Sequence, residues 1–108
     1  MADLIIQQGT DSGYAWPILT SDGEPFDLSG YTARAQIRTR NGNKLHEFST
    51  ALGNIVIALN QVILTWTAAS TAAWDWDGGV YDLEIVSPLG AVRRIDHGWI
   101  TVAKEVTK

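Results

Sequence analysis

Val80-Tyr81-Asp82-Leu83-Glu84-Ile85-Val86, then Ser87-Pro88-Leu89-Gly90, then Ala91-Val92-Arg93-Arg94-Ile95-Asp96-His97-Gly98-Trp99-Ile100-Thr101-Val102: the reading of this stretch decides the fold. In the first run Tyr81, Leu83 and Ile85 alternate with Asp82 and Glu84, which is the period of a half-buried strand. Ser87-Pro88-Leu89-Gly90 is a turn, because proline pre-sets the bend and glycine accepts a positive φ. A second strand returns through Val92, Ile95, Ile100 and Val102. Those positions do not share a period of two, so a bulge near His97-Gly98 is expected to reset the register. The stretch predicts a long hairpin on which the other strands pack.

Working outward, Asp75-Trp76-Asp77-Gly78-Gly79 is expected to break the chain and open that hairpin. Residues 67–74, TAASTAAW, hold the only helical hint, about two turns that need tertiary support. Ile55, Ile57 and Leu59 face together, as do Val62, Leu64 and Trp66, with Asn60-Gln61 as the predicted hairpin turn between them. Ala33, Ala35 and Ile37 alternate with Arg34, Gln36 and Arg38, giving one dry and one wet face. Arg40-Asn41-Gly42-Asn43 is the turn that follows, and residues 45–48 return from it. Tyr14, Trp16 and Ile18 share a face on a strand that Pro17 assigns to an edge or a bulge. Residues 1–8 carry Leu4-Ile5-Ile6, a short strand or an N-terminal arm, and residues 103–108 form a polar tail expected to fray. Seven or eight short strands and one helical turn predict an all-β antiparallel sandwich, a single domain over residues 1–108.

The totals exclude several functions. A chain of 108 residues supports one core. Its net charge of −4, with only 8 Lys and Arg, argues against nucleic acid as a partner, because phosphate binding needs a basic face. Without cysteine there is neither a disulfide scaffold nor a cysteine-based zinc site. The N-terminal run reads as no signal peptide, and no stretch is long and apolar enough to suggest a membrane partner.

Several segments, taken in order, resemble a family of small proteins encoded among the minor tail genes of tailed bacteriophages, especially phages of actinobacteria. They are Gln8-Gly9-Thr10-Asp11 before an aromatic strand, the run from Phe26-Asp27-Leu28-Ser29-Gly30-Tyr31-Thr32 to Arg38, and Leu45-His46-Glu47-Phe48-Ser49. Gly79-Val80-Tyr81-Asp82-Leu83-Glu84, Gly98-Trp99-Ile100-Thr101-Val102 and Glu105-Val106-Thr107 complete the set. The Asp27-to-Arg38 run is also similar to the N-terminal module of phage baseplate upper proteins. The resemblance implies an immunoglobulin-like sandwich used as a structural part of the virion tail, with no catalytic residues and no cofactor. Its implied partners are other tail structural proteins, in several symmetric copies. A carbohydrate-binding module, and a head decoration or head–tail joining protein, are the alternatives.

No local pattern supports catalysis. His46 and His97 fall on different strands without metal-ligand spacing, and Asp75 and Asp77 lack the later ligands of a calcium loop. The candidates are therefore for interaction. Leu4, Ile5 and Ile6 offer a strand to an edge, the chain's own or a neighbour's. Trp74 and Trp76 are either a plug at the end of the sandwich or anchors for a partner. Arg34, Arg38, Arg93 and Arg94 either form cross-strand ion pairs with Asp82 and Glu84 or rim an interface.

Overall fold

The computed structural model describes residues 2–104. Among them, eight strands and one short helix follow in chain order. These are β1 (Leu4–Gln7), β2 (Ser12–Pro17), β3 (Thr32–Arg38), β4 (Lys44–Ser49), β5 (Ile55–Ala58), β6 (Gln61–Trp66), α1 (Ala68–Ala72), β7 (Gly78–Val86) and β8 (Val92–Ala103). They make two sheets, one ordered β1-β8-β7-β3-β4 and the other β2-β6-β5. With the first strand set aside, this is the G-F-C-C′ sheet facing the B-E-D sheet of an immunoglobulin-like sandwich. The fold is all-β.

Alternation fills the space between the sheets. Ala33, Ala35 and Ile37 of β3, Tyr81, Leu83 and Ile85 of β7, and Val62, Leu64 and Trp66 of β6 are all buried. Phe48, Ile55, Trp16 and Ile18 join them from neighbouring strands and the segment after β2. Each fully buried aliphatic or aromatic side chain contributes about 1.5–3 kcal/mol. Tyr81 places its ring in this core and donates its hydroxyl to the Ala2 carbonyl. Burial, with Asp96, Tyr14 and Asp3 nearby, raises the phenol well above its ordinary range and keeps it a donor.

The hairpin of β7 and β8 is the longest pairing, and its bulge lies earlier than the sequence suggests. Leu83 pairs with Asp96 and Glu84 with Arg94, so Ile95 is the extra residue and His97-Gly98 stays in register. Placing Ile95 in the bulge lets Ile100 and Val102 face inward beyond it.

Gly78 and Gly79 do not break the chain either; they are the first residues of β7. A Cβ on Gly79 would come within 2.6 Å of the Arg38 carbonyl oxygen, so the glycine allows a close approach within the sheet.

The N-terminal segment is not a free arm. β1 runs parallel to β8, from Leu4 opposite Ile100 to Gln7 opposite Ala103, and this parallel pair departs from an all-antiparallel sandwich. Leu4 and Ile6 are buried because their apolar side chains complete the core beside Ile100 and Val102. At the other end of the chain, Ala103 closes β8 and accepts from the Gln8 amide at 2.9 Å, so it is not frayed; residues 105–108 of the expected tail lie outside the described residues.

The turn between β5 and β6 is Leu59-Asn60, one residue before the predicted pair, since Ala58 pairs with Gln61. The left-handed backbone angle this turn needs falls on Leu59, at φ 57°. An L side chain in that region costs roughly 1–2 kcal/mol, and glycine has no such penalty. Leu59→Gly should therefore stabilise the fold by about 0.5–1 kcal/mol after glycine's extra chain entropy is subtracted. Denaturant melts check this, and a lower midpoint would show that the leucine is not strained.

Candidate functional site

Three surfaces hold the side chains able to engage a partner. The first is the outer face of the five-stranded sheet, a shallow groove of about 800 Å³. Strand alternation puts Arg34, Gln36 and Arg38 of β3 on this face beside Val80, Asp82 and Glu84 of β7. Arg34 Nε donates to Glu84 Oε1 at 2.9 Å, and Arg94 Nη1 to Asp82 Oδ1 at 3.3 Å. Arg38 instead donates to the Gly42 carbonyl and to Gln36, while Arg40 lies 5.0 Å over the Trp99 ring. Adjacent strand residues face opposite ways, so Arg93 leaves this group and sits 5.8 Å over the Phe26 ring. The two ion pairs are exposed and worth at most about 1 kcal/mol each.

The second surface is the end of the sandwich that carries α1. Thr67 caps this helix, its hydroxyl accepting from the Ser70 amide at 3.1 Å. Trp74 and Trp76, which follow, stack on each other with centroids 4.5 Å apart and planes 23° from parallel. His46 lies 4.9 Å from Trp74 and 4.7 Å from Phe48, so the rings form a column leading into the core. Gln8 and Lys104 donate to the Trp74 carbonyl at 2.9 and 3.2 Å, and Lys104 also donates to that of Trp76. Both indoles are half-buried and packed on the core, which is the plug geometry. They face each other instead of lying side by side as a sugar platform would.

Desolvation in this column lowers the His46 pKa, against an opposing effect from Glu47. The folded chain therefore binds its proton less readily than the unfolded chain. Stability is complete above the ordinary imidazole value of 6.5 and falls as the pH drops through it toward the lower folded value. His46→Phe should remove this part of the acid loss, which melts at pH 7.5 and 5.5 would reveal. An unchanged pH dependence would exclude His46 as its source.

The third surface is the opposite end, where three loops meet. Residues 18–26 fold back through a bridge between Leu19 and Pro25. The Ile18 amide donates to the Asn60 carbonyl at 2.8 Å, and Asn60 Nδ2 returns a bond to the Ile18 carbonyl at 3.0 Å. Gly30, at φ 77°, lies against Pro88 of the β7–β8 turn. Two leucines stand at the tips, Leu59 at 93% exposure and Leu89 at 98%. Between Phe26, Leu28 and Tyr31 on one side and Ile57 and Leu59 on the other lies a recess of about 780 Å³.

No family model matches the chain, and no curated protein matches it either. Among solved structures, extracellular domains 3–5 of Drosophila OTK are similar, at 13% identity and a TM-score of 0.41. That alignment covers 94% of this chain and 33% of the other, so this chain spans about a third of that structure.

Of the residues singled out from sequence, Leu4, Ile5 and Ile6 pair with the chain's own β8, so that Leu4 and Ile6 are core and unavailable to a partner, whereas Ile5 between them is 65% exposed. Arg34, Arg38 and Arg94 come together on one sheet face and Arg93 does not. Trp74 and Trp76 come together as a stack. The loop end was missed. A signal for it was present in Leu89, an apolar residue at a turn position where polar ones are usual, whereas Leu59 reads from sequence as strand.

Proposed function

We propose that this chain is a non-enzymatic structural component of a bacteriophage virion tail, a minor tail or baseplate protein that works through protein–protein contacts. Two things support the reading: the ordered segments that resemble minor tail proteins, and the sandwich built by those of them that lie between Gln8 and Val102. The single observation that carries the contact function is the exposure of large apolar side chains at loop tips and edges: Leu52, Leu59, Leu89 and Ile5. A small sandwich acts through its loops and edges, and apolar groups kept in water there are available for burial on assembly. The partners are other tail structural proteins, and the chain is present in several symmetric copies. It is made in the host cytoplasm and resides in the virion.

Mass spectrometry of fractionated particles tests this directly, using a phage that encodes the chain. The chain should appear in purified tails at a fixed ratio to the major tail protein. Absence from particles overturns the proposal. Recovery in heads alone replaces the tail with a head decoration or joining role.

A further inference from the structure

We infer that the recess at the loop end is a docking pocket for one apolar side chain of a protein partner, flanked on that partner by lysine or arginine. Residues 26–31 build one wall of the recess. Leu28 is anchored in the core, while Phe26 and Tyr31 meet edge to face with centroids 5.7 Å apart. The opposite wall is Ile57 and Leu59. Asn60 ties that wall to Ile18, and Pro88 braces Gly30 from behind, so both walls are held before a ligand arrives. Preorganisation of this kind lowers the entropy cost of docking. Leu59 is held in a backbone region leucine avoids, with its side chain almost wholly in water. Neither feature helps the isolated fold, and strain of this kind gathers at contact sites.

The occupant's chemistry follows from charge. Asp27 lines the recess, its carboxylate accepting from the Ser29 amide and hydroxyl at 3.0 and 2.7 Å. Asp22 and Glu24 stand exposed on the turn tied to the same end by the Leu19–Pro25 bridge. Arg93, the cation that reaches this end among the described contacts, is engaged over the Phe26 ring. An apolar slot with an acidic rim favours an apolar residue with basic neighbours and repels an acidic surface. A second copy of the chain is a poorer fit, because the most exposed leucine tips, Leu59 and Leu89, have no Lys or Arg within two positions.

The inference rests on the assembly reading only in taking the partner to be a protein, and its test needs no virion. Isotope-labelled protein is titrated at low salt with two end-blocked tripeptides, Lys-Trp-Lys and Glu-Trp-Glu, followed by amide NMR shifts. Saturable shifts should centre on Phe26, Tyr31, Ile57 and Leu59, with the lysine peptide binding at least about fivefold tighter, the equivalent of 1 kcal/mol. Leu59→Gly, a variant that relieves the turn and so retains the fold, should weaken that binding by about fivefold or more. Equal affinity for the two peptides, shifts centred on Trp74 and Trp76, or an unchanged Leu59→Gly affinity would each overturn the proposal. So would concentration-dependent shifts of the recess residues without peptide, which would assign the pocket to a second copy.

Discussion

Removing residues 2–8 should abolish the cooperative melt of the isolated domain or lower its stability by about 4–10 kcal/mol, the sum of two core truncations. The segment supplies Leu4 and Ile6 to the core and four register pairs to the edge of β8. It also carries the Ala2 carbonyl that accepts from Tyr81 and the Gln8 side chain that holds the Thr71 and Trp74 carbonyls. Its loss would bare the inner side of Ile100 and Val102 and leave a long edge strand open to aggregation. A domain holds only about 5–15 kcal/mol in total, so the expected loss is a large share of it. Circular dichroism with chemical denaturation reads the effect. A truncated chain that melts at the full-length midpoint would mean β1 is a detachable arm.

Leu83→Ala should cost about 2–5 kcal/mol, as burial at the centre of a sheet and the resulting cavity dictate. Leu83 is fully buried midway along β7, where it faces Ala35 of β3 and Asp96 of β8 across the ladders. Its neighbours are held by strand pairing on both sides and can collapse only partly into the space. A loss below about 1 kcal/mol would place Leu83 outside the rigid core.

Much of the fold was legible in the sequence because half-buried strands state their faces residue by residue. Tyr81, Leu83 and Ile85, and likewise Ala33, Ala35 and Ile37, alternate in sequence and are buried in the structure. The short helix was readable from Thr67 and its alanines. What misled was punctuation. Gly78-Gly79 reads as a break, but here the glycines let the backbone and side chains of neighbouring strands approach within the sheet. Asn60 drew the turn one residue late because asparagine is the better left-handed residue, yet the structure puts the left-handed angle on Leu59. The parallel place of β1 depends on a contact with the far end of the chain, and no local pattern encodes that. The candidate site was less legible still. An apolar residue in a turn, such as Leu89, is a weak signal alone, and only the meeting of three loops turns Phe26, Tyr31, Ile57 and Leu59 into one recess.

We propose that this sandwich works by being seated against other proteins through its loop end. A density map of the assembled particle at side-chain resolution tests it most directly. The chain should lie in the tail, with an apolar side chain of a neighbouring protein between Tyr31 and Leu59 and a basic group beside Asp27. A map in which that end faces solvent, while another surface carries the contacts, would contradict it.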